Sequence, residues 1–180
     1  MEIKAELIKP YTEEQRIDFI VEQNHRKGYE IRETELSLEA WGNTDEENLA
    51  GAKQDKYIEA NEGAKRYLDG DALYEFEEGK HIEATDGNIA KFTAYALAYI
   101  TGQLQPTDTV VWNTKEDETV ELNQEQVVSI LNGLGQVQAY VWAVQFPYYI
   151  GLIEQAETIE EVNAIVIDYT LPIEEVEDEL

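Results

Sequence analysis

The feature that most constrains the fold is an order of segments that occurs twice in the second half of the chain. Residues 73–84 alternate apolar and polar side chains around a turn near Gly79, which is typical of a β-hairpin. Helical spacing of aromatic and apolar residues follows over 85–101. Residues 110–122 repeat the hairpin pattern, and a long apolar helix begins after Asn123. The order predicts two hairpin-plus-helix units.

Helix start and stop patterns dominate the first 70 residues. Thr12 and Thr44 are each followed three residues later by Gln or Glu, as in a capping box, and Gly28 suits a helix C-terminus. These patterns predict helices over 13–27 and 44–68, with a short helix at about 35–41 that ends at Gly42.

The complete reading is an α+β fold that is mostly helical. It comprises an N-terminal helical arm (1–70), a hairpin-helix domain (71–170) and an acidic tail (171–180). Pro147 lacks a backbone N–H, so we expect it to kink or split the long helix. A third Thr-led capping box, at Thr158, begins a closing helix.

Charge restricts the partners. The chain has 39 acidic and 13 basic residues, a formal net charge of −26. Such a surface repels phosphates and anionic lipids, so we expect no direct contact with nucleic acid or membrane, and attraction to a basic partner or to cations. The apolar stretch 139–153 is interrupted and too short to span a bilayer. Crowded carboxylates are expected to have raised pKa values, which predicts that mild acidification stabilises the fold.

The search for catalytic chemistry gives nothing positive. No phosphate-binding loop is present, the two serines lack a nucleophile-elbow setting, and His25 and His81 lie far apart. The acidic runs 69–71 and 116–118 could attract Ca²⁺, but neither follows an EF-hand pattern, so they are interpreted as ordinary turns. No catalytic residue, cofactor-binding residue or metal ligand is predicted, and the chain is not expected to be an enzyme.

Aromatic side chains give the candidates for an interface. The face of helix 45–68 is a thin strip of Ala and Tyr, which favours packing against a partner or a second copy. A second aromatic group surrounds Pro147. The interface candidates are Tyr57, Tyr67, Tyr140, Trp142, Phe146, Tyr148 and Tyr149. Trp41, Trp112 and Trp142 are expected to be buried, with Trp112 anchoring the second hairpin to the long helix.

One resemblance emerges from the second half of the chain. The segments concerned are Tyr74-Glu-Phe76, Ile82-Glu-Ala-Thr-Asp86, Trp112-Asn-Thr and Thr119-Val-Glu-Leu122, followed by a long helix and a capped Ile/Glu-rich helix. Over about residues 73–168, this order resembles the uncharacterised C-terminal domain of bacteriophage tail and tail-fibre proteins. The resemblance implies a tail or virion role and no catalytic residues.

The sequence therefore predicts a non-enzymatic structural component of a bacteriophage tail or virion that acts through protein–protein contacts. Its expected partners are other phage structural proteins, with a homo-oligomer as one arrangement, and its expected place is the virion after synthesis in the host cytoplasm. Three alternatives remain: a tail-fibre assembly chaperone, an acidic DNA mimic that occupies a basic nucleic-acid-binding protein, and a hydrolase.

Overall fold

The computed structural model describes residues 1–173, and the chain has an α+β fold that is mostly helical. It forms two compact units: Met1–Gln54 with Glu157–Val162, and Asp55–Ala156 with the segment from Asn163 onward. This division differs from the predicted boundary at residue 70, because it falls inside a helix that the sequence assigned to the arm. The predicted acidic tail 171–180 lies largely outside the described residues.

The first unit is built on a three-stranded antiparallel sheet in the order β1-β3-β2. Its elements are β1 (Glu2–Ile8), α1 (Glu13–Ile20), a π-helical segment (Val21–Arg26), β2 (Glu30–Glu33), β3 (Ser37–Gly42) and the start of α2 (Asp45–Arg66). In the central strand Leu38 and Ala40 alternate with more exposed residues and are fully buried. They pair with Leu7 and Ala5 of β1.

This sheet corrects the prediction of an all-helical arm. The segment 35–41 was predicted to be a short helix, and the structure instead places the strand β3 at Ser37–Gly42. A period of two fits Leu38 and Ala40, and hydrogen bonding to strands on both sides outweighs the weak local helix preference. The predicted helix over 13–27 is confirmed, with a reciprocal capping box at Thr12 and positive φ at Gly28.

The second unit contains the two predicted hairpin-plus-helix units. The first is β4 (Leu73–Glu77), β5 (Lys80–Glu83) and α3 (Asp86–Ile100). The second is β6 (Val110–Asn113), β7 (Thr119–Leu122) and α4 (Gln124–Tyr140). Thr85 and Asn123 cap the two helices through their side-chain oxygens. Helices α3 and α4 pack on each other, and the core includes Phe92, Ile130 and Leu134.

Pro147 does not break the long helix. After α4 a π-helical segment (Val141–Gln145) leads directly into α5 (Phe146–Gln155), with Pro147 in the first turn of α5. The N–H of Phe146 donates to the carbonyl of Val141, five residues earlier, so the wider turn lies just before the proline. The ring is thereby accommodated where a first-turn N–H is not needed.

Two further helical features complete the description. A π-helical segment (Tyr67–Asp71) ends α2, and α6 (Ile159–Ala164) begins at the predicted capping box of Thr158 and Glu161. Within residues 1–173 one helical run, Gln124–Gln155, is long and apolar enough to cross a membrane by length and composition, a test that core helices of soluble proteins also pass.

Candidate functional site

Three of the exposed apolar side chains near Pro147 lie four residues apart. Tyr140, Val144 and Tyr148 have exposed fractions of 39%, 44% and 42%. Residues at this spacing share one side of a helix. We call Tyr140, Val144 and Tyr148 the aromatic stripe. Two of its members were predicted as interface residues, and Val144 was not.

A second set of predicted residues forms an edge-on aromatic cluster. The rings of Tyr57 and Trp142 meet that of Phe146 at centroid distances of 5.8 and 5.4 Å. Phe146 is half-buried, whereas Tyr57 and Trp142 remain exposed. Trp142 is therefore not the buried anchor that its size suggested. Trp41 and Trp112 are half-buried.

The remaining two candidates face the interior. Tyr149 is only 5% exposed, and its hydroxyl donates to the carbonyl of Asp168 at 2.8 Å. Tyr67 is half-buried, with its ring stacked on that of Tyr169 at 6.3 Å. Tyr149 is thus a core residue that fixes the chain at Asp168, and it is removed from the candidate surface.

The helix that carries the stripe has an unusual composition for this chain. From Gln126 to Ile153 it contains no charged residue, although charged residues make up 29% of the protein. Only 28% of its most apolar stretch is buried within the structure. Much of this uncharged surface is therefore open.

The sequence did not predict a cavity of about 400 Å³ beside α4. Tyr67, Tyr74, Tyr140 and Tyr169 contribute to its wall, together with Leu, Val, Gln and Thr side chains. The ring of Tyr74 lies directly on Gly133, where a Cβ atom would come within 2.1 Å of it. A glycine in the middle of a strong helix pattern is the one sequence feature that could have indicated this close approach.

Gln145 closes one side of that cavity. Its Nε2 donates to the carbonyls of Tyr169 at 3.1 Å and Leu171 at 2.9 Å, which holds the segment after α6 against the helix. The side chain is 2% exposed, and its Oε1 accepts no hydrogen bond within the described residues. A buried polar side chain in an apolar helix therefore has a structural role here.

Polar contacts connect the two hairpins. Glu116, in the β6–β7 turn, accepts from the backbone N–H of His81 at 3.0 Å and lies 2.8 Å from its Nδ1. These bonds hold the pKa of Glu116 down to about 2, the backbone N–H of His81 being the largest cause. The Nζ of Lys115 also contacts Glu83. His81 is therefore part of a structural connection between the two hairpins.

Trp112 contacts helix α3 of the other hairpin-plus-helix unit. Its ring packs on Phe92, with centroids 4.6 Å apart, and the Nζ of Lys91 lies 5.4 Å above it. The predicted anchoring of this hairpin to the helix that begins after Asn123 stays a prediction. Across the hairpin Trp112 pairs with Val120, as its register requires.

Ion pairs organise the charges of the first unit. Lys9, Arg26 and Arg32 each contact a glutamate at 2.9–3.0 Å. In the described part of the chain, each carboxyl group whose pKa shifts has it lowered, and the first cause is always a hydrogen bond, as for Glu22 with Arg26. This contradicts the expectation of raised pKa values, because local donors outweigh the repulsion among carboxylates.

Residues 1–173 contain no candidate metal site, because no group of three or more His, Cys, Asp or Glu side chains in this range could hold an ion. The acidic runs 69–71 and 116–118 form a π-helical end and a hairpin turn. Comparison with known proteins gives no matching family model, no matching characterised protein and no matching solved structure.

Proposed function

We propose that this chain is a non-enzymatic structural protein that works by binding other proteins through the outer surface of the helix Gln124–Gln155. Following the resemblance over residues 73–168, we place it in a bacteriophage tail or virion. Its partners are then other structural proteins of the particle, or further copies of this chain.

The observation that carries the proposal is the uncharged and largely open surface of this helix. A solvated helix in a chain of this composition would be expected to carry charges on its outer face. Between Gln126 and Ile153 that face instead carries the aromatic stripe and Trp142. Tyrosine and tryptophan are enriched at the centres of protein interfaces, and charged residues are depleted there.

The charge of the remaining surface supports association with a partner that is less acidic. The residues around the helix belong to a chain of net charge −26, so two copies repel each other at long range. A partner with basic groups at the rim of the interface is attracted instead, and its association is faster at low salt.

The direct test is mass spectrometry of purified particles from the source phage. A structural component is retained at a fixed ratio to the other particle proteins. An assembly chaperone is present in the infected lysate and absent from finished particles. Absence of the chain from both particles and assembly intermediates would overturn the proposed role.

Two variants test the surface itself. Val144→Glu and Tyr148→Glu place a charge in the aromatic stripe and are expected to prevent incorporation. Ile100→Glu is the matched control, because Ile100 is 79% exposed on α3 and lies outside this helix. Incorporation of all three variants at the parental level would exclude the stripe as the binding surface.

The acidic excess favours a second candidate, a DNA mimic that occupies a basic nucleic-acid-binding protein. Immobilised chain would then retain nucleic-acid-binding proteins from a host lysate, and salt would release them. The stripe variants separate the two candidates, since a charge-driven complex tolerates an added glutamate in the helix.

A further inference from the structure

The cavity beside α4 has the size of a small-molecule site. Its volume of about 400 Å³ lies within the range of roughly 300–1,000 Å³ that ligand pockets occupy. It belongs to the second unit alone, and none of the residues within 1–173 that line it is charged. Of the aromatic stripe that we propose for protein binding, only Tyr140 also lines this cavity.

Tyrosine rings form a large part of the wall. Tyr67 and Tyr169 lie nearly parallel, with an interplanar angle of 21°, while Tyr74 and Tyr140 contribute from β4 and α4. The hydroxyls of Tyr67 and Tyr74 make no hydrogen bond within the part of the chain that the structure describes. The face of each ring is electron-rich, and such faces attract cations.

The charges near the cavity are negative, so they also favour a cation. The negative charges of Asp71 and Asp168 act on the hydroxyl of Tyr67 and, after burial, are the causes of its raised pKa. No lysine or arginine lines the cavity. A ligand with a negative charge would therefore be repelled without compensation, whereas a positive charge gains from both the rings and the carboxylates.

We propose that the tyrosine-walled cavity binds a small organic ammonium ion carried on an apolar body. The apolar body packs against Leu73, Val137 and Leu171, and the ammonium group lies among the tyrosine rings. A bare metal ion does not fit this wall, because the lining residues that the structure describes offer no carboxylate ligands. The ligand chemistry is that of an aromatic or aliphatic amine of low molecular mass.

The test compares three ligands of one shape with the full chain, by titration calorimetry at physiological salt. The ligands are 2-phenylethylammonium, neutral 2-phenylethanol and the anion 3-phenylpropionate. We expect the ammonium ion to bind about tenfold more tightly than the alcohol, the worth of a desolvated cation–π contact, and the anion to show no binding. Equal binding of ammonium ion and alcohol, or no binding of the ammonium ion, would refute the proposal.

Variants locate the binding. Tyr67→Leu removes a ring and is expected to weaken the ammonium complex about three- to thirtyfold, whereas Tyr67→Phe keeps the ring and the affinity. Tyr140→Leu serves if Tyr67→Leu fails to fold, because Tyr140 is the more exposed of the two. Tyr148→Leu is the control outside the cavity.

General attraction of cations to an acidic surface gives a different pattern. Tetramethylammonium chloride, which has no aromatic body, would then compete as well as 2-phenylethylammonium, and Tyr67→Leu and Tyr140→Leu would bind like the parent. Either result places the amine elsewhere and excludes the cavity as its site.

Discussion

Gly133 gives the sharpest test of the packing beside α4. In the interior of an exposed helix, a change from Gly to Ala stabilises by about 0.5–1 kcal/mol, because Ala restricts the unfolded chain. At Gly133 the new methyl group would lie 2.1–2.4 Å from three ring atoms of Tyr74. Contacts below 3.0 Å require a displacement, and overpacking of this kind costs about 1–3 kcal/mol. Gly133→Ala is therefore expected to be neutral or destabilising, despite the gain in helix propensity.

Gly135 provides the matched control on the same helix. A Cβ atom added there meets no atom within 4 Å, so Gly135→Ala should receive only the propensity gain. The difference between the free energies of unfolding of the two variants gives the overpacking cost at Gly133. We expect about 1–3 kcal/mol, which corresponds to several degrees in Tm for a chain of this size. Urea unfolding monitored by circular dichroism measures the free energy of unfolding of each variant.

A double variant identifies the clashing group. Combined with Tyr74→Ala, the Gly133→Ala change should recover the stabilisation seen at Gly135, because the ring is gone. The reasoning is refuted if Gly133→Ala stabilises the parent as much as Gly135→Ala does, or if the removal of Tyr74 leaves the difference between the two glycine sites unchanged.

Three further predictions concern the hairpins and their helices. Trp112→Ala removes the ring that packs on Phe92 and should destabilise by about 2–4 kcal/mol in a thermal melt; a parental melting temperature would mean that the contact contributes nothing. Glu116→Gln tests a carboxylate whose pKa is lowered to about 2 from 4.5, so its contribution is present above pH 4.5 and disappears as the pH falls towards 2. Urea midpoints of this variant should lie below those of the parent at neutral pH and equal them near pH 2, whereas a constant difference would exclude the hydrogen bonds to His81 as the cause. Asn123→Ala removes the capping bond that the Asn123 side chain accepts from the backbone N–H of Gln126 and should cost about 1 kcal/mol, with Asn123→Ser close to the parent as the conservative comparison.

Local signals explain why the second half of the chain was predictable. A capping side chain acts within three residues, so Thr85 and Asn123 fix the helix starts whatever surrounds them. The two hairpins close over short turns, and their alternation is visible within each strand. The two hairpin-plus-helix units were predictable because these caps and alternations act between residues that are close in the sequence.

The first sheet depends on pairing between distant segments. Strand β3 pairs with β1, more than thirty residues earlier in the chain, as between Leu7 and Leu38. Strand β1 alternates charged residues (Glu2, Lys4, Glu6) with apolar ones, a period of two that is typical of a strand. The prediction missed this local signal, and it interpreted β3 as a helix between Thr34 and Gly42 because the pairing of β3 with other strands cannot be seen in its own residues.

The candidate surface was only partly predictable for a similar reason. Helical spacing identifies which residues share a face of the helix. Which face is buried depends on the other segments of the chain that pack against it. Tyr148 and Tyr149 are chemically alike and adjacent, yet one is exposed and the other is held in the core by Asp168. The cavity required Tyr67 and Tyr169 to meet from opposite ends of the second unit's sequence, which no local pattern specifies.

The π-helical segment Val141–Gln145 has a consequence for how this chain can be aligned and shortened. The buried positions Val141, Gln145, Tyr149 and Ile153 recur every four residues, whereas each such step on an ideal α-helix overshoots a full turn by about 40°. The wide turn absorbs part of that drift. The π-helical turn holds one residue more than an α-helical turn, so a deletion of Ala143 that converts the segment to regular α-helix would keep the residues beyond it on nearly the same face, and Tyr149 would stay in the core. A one-residue gap in this segment should accordingly mark those descendants of a common ancestor whose helix is regular here and whose buried face is unchanged.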